Sequence, residues 1–292
     1  MKRTYNKTPL TFEEQVELLK SRNLAIVNPE YAKSKLAHIN YYRISAYLRH
    51  FQQDDTHQFI EGTSFTQVIR LYYFDKKLRS IIFYAMEKIE VYMRTVLAYH
   101  IADNHGAFGY ADRTIMHSIH NYEQILKSIQ ADVSRSKEVF VKHFFETYNG
   151  EYLPVWAMVE VISFNTLSRL YGNLKEEDQR KISHEIGLKP VVLARWLHSL
   201  TYVRNICAHH SRLWNKMLAV RPIVPRGDKN FKDLNNTKIF FVLSVIRYLL
   251  EKIDGDEYDF KAEIKELLAM YPEVPIFNMG FPENWEERMI WR

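Results

Sequence analysis

Cysteine and glycine are both scarce in this chain of 292 residues, which has 1 cysteine and 9 glycines. A lone cysteine, Cys207, excludes a disulfide framework and any metal site built from several cysteines. The GxGxxG and GxxxxGK[ST] motifs are absent, which argues against dinucleotide-binding and P-loop folds. No run of about 18 uncharged apolar residues is present, so the sequence predicts no membrane-spanning helix.

The charge balance is slightly basic, with 40 lysines and arginines against 35 aspartates and glutamates and a net charge of +5. An excess of this size permits binding to nucleic acid without requiring it. Hydrophobic residues make up 47% of the chain, which is typical of a folded globular protein. The N-terminal MKRTYNKTPLTFEEQ lacks the apolar core and cleavage site of a secretory signal, so we expect a cytoplasmic protein with no membrane partner.

Helical periodicity dominates the chain, and strand signals are sparse. A first helix is predicted over Phe12–Lys20, with Thr11 as its N-cap and Glu14 in the capping-box position. Phe65–Ile101 contains no glycine or proline, which predicts one long helix or two that abut. Val155–Tyr171 is predicted as one buried helix. These patterns indicate an all-α protein.

The most informative window is Val191–Asn215, VVLARWLHSLTYVRNICAHHSRLWN. Its apolar residues recur at helical spacings, which predicts one helix with a buried stripe. The residues of that stripe are Leu193, Trp196, Leu200, Val203, Cys207 and Trp214.

The polar residues of the same window form a row on the opposite face. At about 100° per residue, Asn205 and His209 stack on one another, about 200° from Val203 and Cys207. Arg212 and Lys216 are expected to extend the row along the same helix, with Arg204 at its side. The predicted row therefore points away from the core.

This row combines an amide, an imidazole, a guanidinium and an ammonium group. Arginine binds phosphate through two parallel hydrogen bonds and stays charged, while histidine titrates near neutral pH and can move protons. The combination is typical of a site directed at a phosphodiester, although a single histidine on a helix more often has no catalytic role.

Four phrases of the sequence carry a resemblance to a known family. Arg204–His209 has the form R-N-x-x-x-H, the R-x4-H motif of the HEPN superfamily of helical ribonucleases. The longer phrases resemble the Abi-like proteins of the AbiD/AbiF group, which are bacterial abortive-infection proteins directed against phage. These phrases are HINYYRISAY (His38–Tyr47), EKIEVYMRT (Glu87–Thr95), LPVWAMVEVISFNTLSRLY (Leu153–Tyr171) and RNICAHHSRLWN (Arg204–Asn215).

The resemblance implies a HEPN-like helical bundle. We expect a single domain over residues 1–292, with an N-terminal helical extension over 1–64 and core helices with the motif over 65–220. We expect additional C-terminal helices and a tail over residues 221–292. The tail, from Tyr271 onward, is expected to lie extended over the surface.

The resemblance also implies a chemistry. RNA would be cleaved without a metal or cofactor, leaving a 2′,3′-cyclic phosphate. His209 would act as general acid or base, Arg204 would hold the phosphate oxygens, and Asn205 would position Arg204 or the substrate. Because two motifs usually form one site in this superfamily, a homodimer is expected. A regulatory RNA or protein would hold the activity in check.

Further RNA contacts are expected from His210, Arg212, Lys216 and Arg43. Arg43 belongs to a segment that interleaves aromatic and basic residues. Such residues can stack on bases and contact phosphates. Alternatively, the segment is an ordinary helix whose aromatic residues pack in the core and whose arginines face water. His210 leaves an R-x5-H register open. Ser211 replaces the tyrosine found after the motif in some HEPN toxins, which argues against control by tyrosine modification.

Other charged and imidazole groups leave alternatives open. Glu90 and Arg94 are spaced i, i+4, which favours a salt bridge that either braces the site or contacts it. His100 and His105 have no carboxylate or thiolate at ligand spacing, so no metal is expected. A non-catalytic RNA-binding or scaffold protein remains the alternative to a ribonuclease.

Overall fold

The protein is described here by a computed structural model, which covers residues 8–53, 56–253 and 258–292. Within these ranges the chain forms twelve α-helices and isolated bridge pairs, so the predicted all-α class is confirmed. Among the described residues, no helix has both the length and the apolarity needed to cross a bilayer. The helices are α1 (Phe12–Lys20), α2 (Pro29–His38), α3 (Tyr41–Leu48), α4 (Phe65–His105), α5 (Ile119–Arg135), α6 (Val139–Thr147), α7 (Val155–Val161), α8 (Phe164–Asn173), α9 (Glu176–Glu185), α10 (Pro190–Ala208), α11 (Ile239–Ile253) and α12 (Phe260–Met270).

The first helix begins where its capping signal predicts. The Thr11 hydroxyl accepts a hydrogen bond from the Glu14 backbone N–H at 3.2 Å. The Glu14 carboxylate in turn accepts from the Thr11 N–H at 2.7 Å, which completes the capping box. The predicted bounds of α1 are confirmed.

Helix α4 runs for 41 residues as one uninterrupted element. It ends at His105, where Gly106 adopts a φ of +79°, in the left-handed region that glycine enters without strain. The sequence left one helix or two abutting helices open, and the absence of any helix breaker accounts for the single one.

The expected helix over 155–171 is instead two helices, α7 and α8. Ser163 starts α8 as its N-cap, because its hydroxyl accepts from the Thr166 N–H at 3.2 Å. Asp132 on α5 stabilises the break by accepting from the Ser163 N–H and the Thr166 hydroxyl, both at 3.1 Å. An N-cap serine and a distant carboxylate therefore override a continuous apolar pattern.

The described chain divides into two compact units. The first contains the residues up to Leu78 together with Glu266–Val274, and the second contains Arg79–Lys265 and Pro275–Arg292. In the first unit, the Tyr47 hydroxyl donates to the Asp75 carboxylate at 2.6 Å. The expected single domain, with divisions at residues 64 and 220, stays a prediction.

Helix α10 is the main core element of the second unit. It packs against α8, α9 and α11, and every residue of its predicted apolar stripe is buried. The expectation of a surface tail is wrong for its last residues. Trp291 is fully buried, stacks on Phe240 at 5.6 Å and donates from its indole nitrogen to the Ser244 hydroxyl at 2.9 Å. A large aromatic surface gains more from burial than from lying in water.

Candidate active site at the end of α10

The R-x4-H motif lies where α10 ends. Ala208 is the last helical residue and His209 is the C-cap. The Ser211 N–H donates to the Ile206 carbonyl and the His210 N–H to the Cys207 carbonyl, both at 3.0 Å. His210 has a φ of +55°, so these two bonds form a Schellman motif with a non-glycine residue in the left-handed position.

This ending corrects the predicted row. Asn205 and His209 are exposed on the solvent side of α10, as the spacing predicts. Arg212 and Lys216 do not extend that row on the same helix, because the chain has left the helix by then. Both are half-buried, and the buried Trp214 lies between them in sequence.

Arg204 lies between water and a neighbouring helix. Its side chain is 33% exposed, and its Nε lies 3.8 Å from the Glu90 carboxylate on α4. The guanidinium also lies 5.7 Å from the centre of the exposed Phe83 ring, within reach of a cation–π interaction. The sequence offered no signal for Phe83, because nothing local links it to the motif.

Glu90 is shared between two arginines. Its other carboxylate oxygen accepts from Arg94 at 2.5 Å, and Arg94 also donates to the Ile162 carbonyl at 2.9 Å. Arg94 Nη1 is buried and has no hydrogen-bond partner among the described residues. Glu90 therefore pairs with Arg94, as the i, i+4 spacing predicts, and also lies 3.8 Å from Arg204. A role for Glu90 or Arg94 at the site stays a prediction.

These side chains surround a small cavity of about 250 Å³. Its walls come from α4 and from Arg204 of α10, and they combine three apolar residues with four charged ones. The residues that line it are Phe83, Met86, Glu87, Glu90, Val91, Arg94 and Arg204.

A polar groove between α5, α8 and α10 was not predicted. It has a volume of about 590 Å³ and is lined by Arg195 and His198 of α10 with Arg169 of α8. None of the described residues that line it is acidic. His198 and His209 are 11 positions apart, which places them on nearly the same face and about 16 Å apart along the helix axis.

Arg43 lies on α3 in the first unit and is exposed. Its neighbour Tyr42 is exposed too, whereas Tyr47 of the same segment is buried. The aromatic residues of this segment therefore divide between the core and the surface, and a role for Arg43 in RNA binding stays a prediction.

The comparison with known families shows to which family the chain belongs. A family model described as Abi-like protein matches residues 34–215, well over half of the chain. The chain belongs to the Abi-like protein family. No curated protein and no solved structure matches it.

The matched range of this Abi-like chain contains Arg43, Glu90, Arg94 and Arg204–Asn215, while Lys216 lies just outside it. Both walls of the Arg204 cavity thus fall within the family region. Membership in the family suggests a role in abortive infection.

In the second unit, one expectation about the histidines is wrong. His100 and His105 were expected to lack a converging carboxylate, but Asp178 of α9 meets both of them. Sequence spacing could not reveal this contact, because Asp178 lies more than 70 positions further along the chain.

Proposed function

We propose that this Abi-like protein is an endoribonuclease that acts in abortive infection against phage. The ribose 2′-hydroxyl attacks the adjacent phosphorus and the bond to the 5′ oxygen breaks, which leaves a 2′,3′-cyclic phosphate and a 5′-hydroxyl. His209 moves a proton at one of these oxygens. Arg204 binds the non-bridging oxygens as charge develops on them, and Asn205 orients the phosphate.

The observation that supports this proposal most is the exposure of His209 beside a loosely held Arg204. The imidazole has no side-chain hydrogen bond within the described ranges, so both its nitrogens can face a ligand. Five positions place Arg204 about 7.5 Å from His209 along the axis and about 140° around it by helix geometry. We propose that the long side chain of Arg204 turns toward His209 when a substrate phosphate binds.

Glu90 supports the same proposal as a positioning residue. Its separation of 3.8 Å from Arg204 is long for an ion pair, while its bond to Arg94 is short. Arg204 can therefore turn toward a phosphate without losing a strong bond. Arg94 Nη1 has no partner among the described residues and adds a buried donor beside the cavity that Arg204 lines. Such donors are unusual outside functional sites.

The chemistry also favours two copies of the chain. In-line cleavage takes a proton from the 2′ oxygen and delivers one to the 5′ oxygen on the opposite side of the phosphorus. A single His209 cannot face both oxygens at once. We therefore propose a homodimer in which each protomer supplies one R-x4-H motif, restrained in the cell by an RNA or protein partner.

The groove between α5, α8 and α10 is our candidate path for a single strand of RNA. Arg169 and Arg195 supply positive charge for the phosphates, and the exposed His198 supplies a ring for stacking. Arg195 makes no hydrogen bond or ion pair in the described part of the chain, so its charge is available to a ligand.

The decisive experiment measures cleavage of end-labelled single-stranded RNA in the presence of EDTA. We expect Arg204→Ala and His209→Ala each to lower the cleavage rate by about 10²–10⁴-fold, the usual range for loss of a positioned proton donor or charge stabiliser. His143→Ala, which removes an exposed histidine from α6, should cleave at the wild-type rate. The product should carry a 2′,3′-cyclic phosphate.

A growth assay covers the case in which the purified protein is restrained. Expression of the wild type should arrest bacterial growth, and Arg204→Ala and His209→Ala should not. If the wild type neither cleaves RNA nor arrests growth, and both variants bind RNA as well as it does, the protein is the inert RNA-binding alternative. Cleavage that survives in His209→Ala but not in His210→Ala would instead select the R-x5-H register.

A further inference from the structure

Helices α4 and α9 bring three potential metal ligands to one point. His100 and His105 lie in the last turns of α4, and Asp178 lies in the first turn of α9. The Asp178 Oδ1 atom is 2.8 Å from His100 Nε2 and 3.0 Å from His105 Nε2. The three donor atoms all lie within 4.8 Å of one another.

We propose that His100, His105 and Asp178 bind one divalent transition-metal ion, Zn²⁺ being the best match, which joins α9 to the end of α4. This proposal is independent of RNA cleavage. Two imidazoles and one carboxylate form a ligand set that Zn²⁺ takes with three protein donors, and water completes the coordination. The same set is poor for Mg²⁺ and Ca²⁺, which prefer oxygen ligands.

The spacing of the donors fits a tetrahedral ion. Bonds of about 2.0–2.1 Å at tetrahedral angles place neighbouring ligand atoms about 3.4 Å apart. Both His–Asp separations need to widen by less than about 1 Å to reach that value. The two imidazole nitrogens lie within 4.8 Å of each other and need to approach by up to about 1.4 Å. Rotation of the imidazole and carboxylate groups can supply changes of this size, because all three donors sit at the ends of side chains.

Burial suits the site as well. The side chains of His100 and Asp178 are 11% and 8% exposed, while that of His105 is 23% exposed. The ligands are therefore shielded from bulk water, and the more open side at His105 leaves access for the ion and for a bound water.

The surrounding structure holds two of the ligands in place. A side chain at position 109 would put its Cβ 2.4 Å from that of His105, so Gly109 allows the chain to pass close over this histidine. Asn104 donates to the His100 carbonyl at 2.8 Å and accepts from Lys181 at 3.3 Å, which forms a second link between α4 and α9. These contacts fix the backbone around His100 and His105 and the spacing between α4 and α9.

The test is a calorimetric titration of Zn²⁺ into the EDTA-stripped and dialysed full-length protein. We expect one tight Zn²⁺ site per chain in the wild type, with no comparable site for Mg²⁺. Asp178→Asn and His105→Gln should each lose that site, whereas His184→Gln, which removes an exposed histidine of α9, should keep it. Zn²⁺ should raise the Tm of the wild type by several degrees and leave that of the two ligand variants unchanged.

Chemical footprinting of the wild type supports the assignment even if a variant fails to fold. Diethyl pyrocarbonate modifies accessible imidazoles, and mass spectrometry locates the products. Zn²⁺ should protect His105, the more exposed of the two histidine ligands, while His184 and His209 stay reactive. Absence of a one-to-one Zn²⁺ site in the wild type, or equal Zn²⁺ binding by His105→Gln, would overturn the proposal.

Discussion

His209 lies in the same unit as His100 and His105, but the surroundings of these histidines differ. His209 is exposed at the C-cap of α10, and its ring has no hydrogen-bond partner within the described ranges. His100 and His105 are partly buried, and both rings point at the carboxylate of Asp178. The first arrangement leaves an imidazole available to a substrate, and the second commits two imidazoles to holding helices together.

The comparison shows that partners, more than residue type, decide what a histidine does here. A ring that must exchange protons with a substrate needs access and an open hydrogen-bonding position. A ring that links two helices needs a fixed acceptor or a shared ion. Substitutions that affect stability and activity separately can therefore test the difference.

The largest difference is expected in stability. Asp178→Ala removes the acceptor of two partly buried imidazoles, which should lower the free energy of unfolding by about 1–3 kcal/mol in EDTA. Asn205→Ala, at the exposed motif, should change it by less than about 0.5 kcal/mol. Urea denaturation followed by circular dichroism measures both. Equal losses in the two variants would contradict the assigned roles.

A smaller effect is expected when the support of Arg204 is weakened. Glu90→Gln keeps the shape of the side chain but removes the charge shared by Arg94 and Arg204. We expect kcat for RNA cleavage to fall about tenfold, corresponding to about 1.4 kcal/mol, with KM nearly unchanged because Glu90 acts through Arg204. Glu87→Gln, at the exposed side of the same cavity, is the matched control and should leave kcat unchanged. A change confined to KM would instead place Glu90 in substrate binding.

The smallest effect concerns the groove between α5, α8 and α10. Arg195→Ala removes a charge that has no partner in the described structure, so RNA affinity should fall a few-fold, about 0.5–1 kcal/mol, and the salt dependence of binding should weaken. Arg180→Ala removes an arginine that is paired with Glu176 at 2.6 Å and should change affinity less. Fluorescence anisotropy at two salt concentrations measures both. Equal effects would indicate that the groove is not the RNA path.

Much of the helical architecture is predictable from local signals. The capping box of Thr11 and Glu14 places the start of α1 correctly, and the apolar stripe of α10 is buried as its periodicity predicts. Both succeed because a cap and an amphipathic period act over one or two helical turns. The exposure of Asn205 and His209 follows from the same period.

Predictions from the sequence are wrong where the backbone conformation does not follow from the local hydrophobic period. The spacing of Arg212 and Lys216 predicts a longer α10, but His210 enters the left-handed region and ends the helix. Glycine would have signalled such an ending, whereas histidine does not. The break between α7 and α8 depends on Asp132, which reaches it from another helix.

The amino-acid sequence by itself determined the all-α class, the Abi-like kinship and the face of α10 on which Asn205 and His209 lie. These follow from periodicity and from motifs contained in short stretches of chain. Only the tertiary structure decided that Glu90 touches Arg204 and that Asp178 meets His100 and His105. Contacts of this kind arise from how helices pack, and helices remote in sequence carry no local pattern that specifies which of their side chains meet.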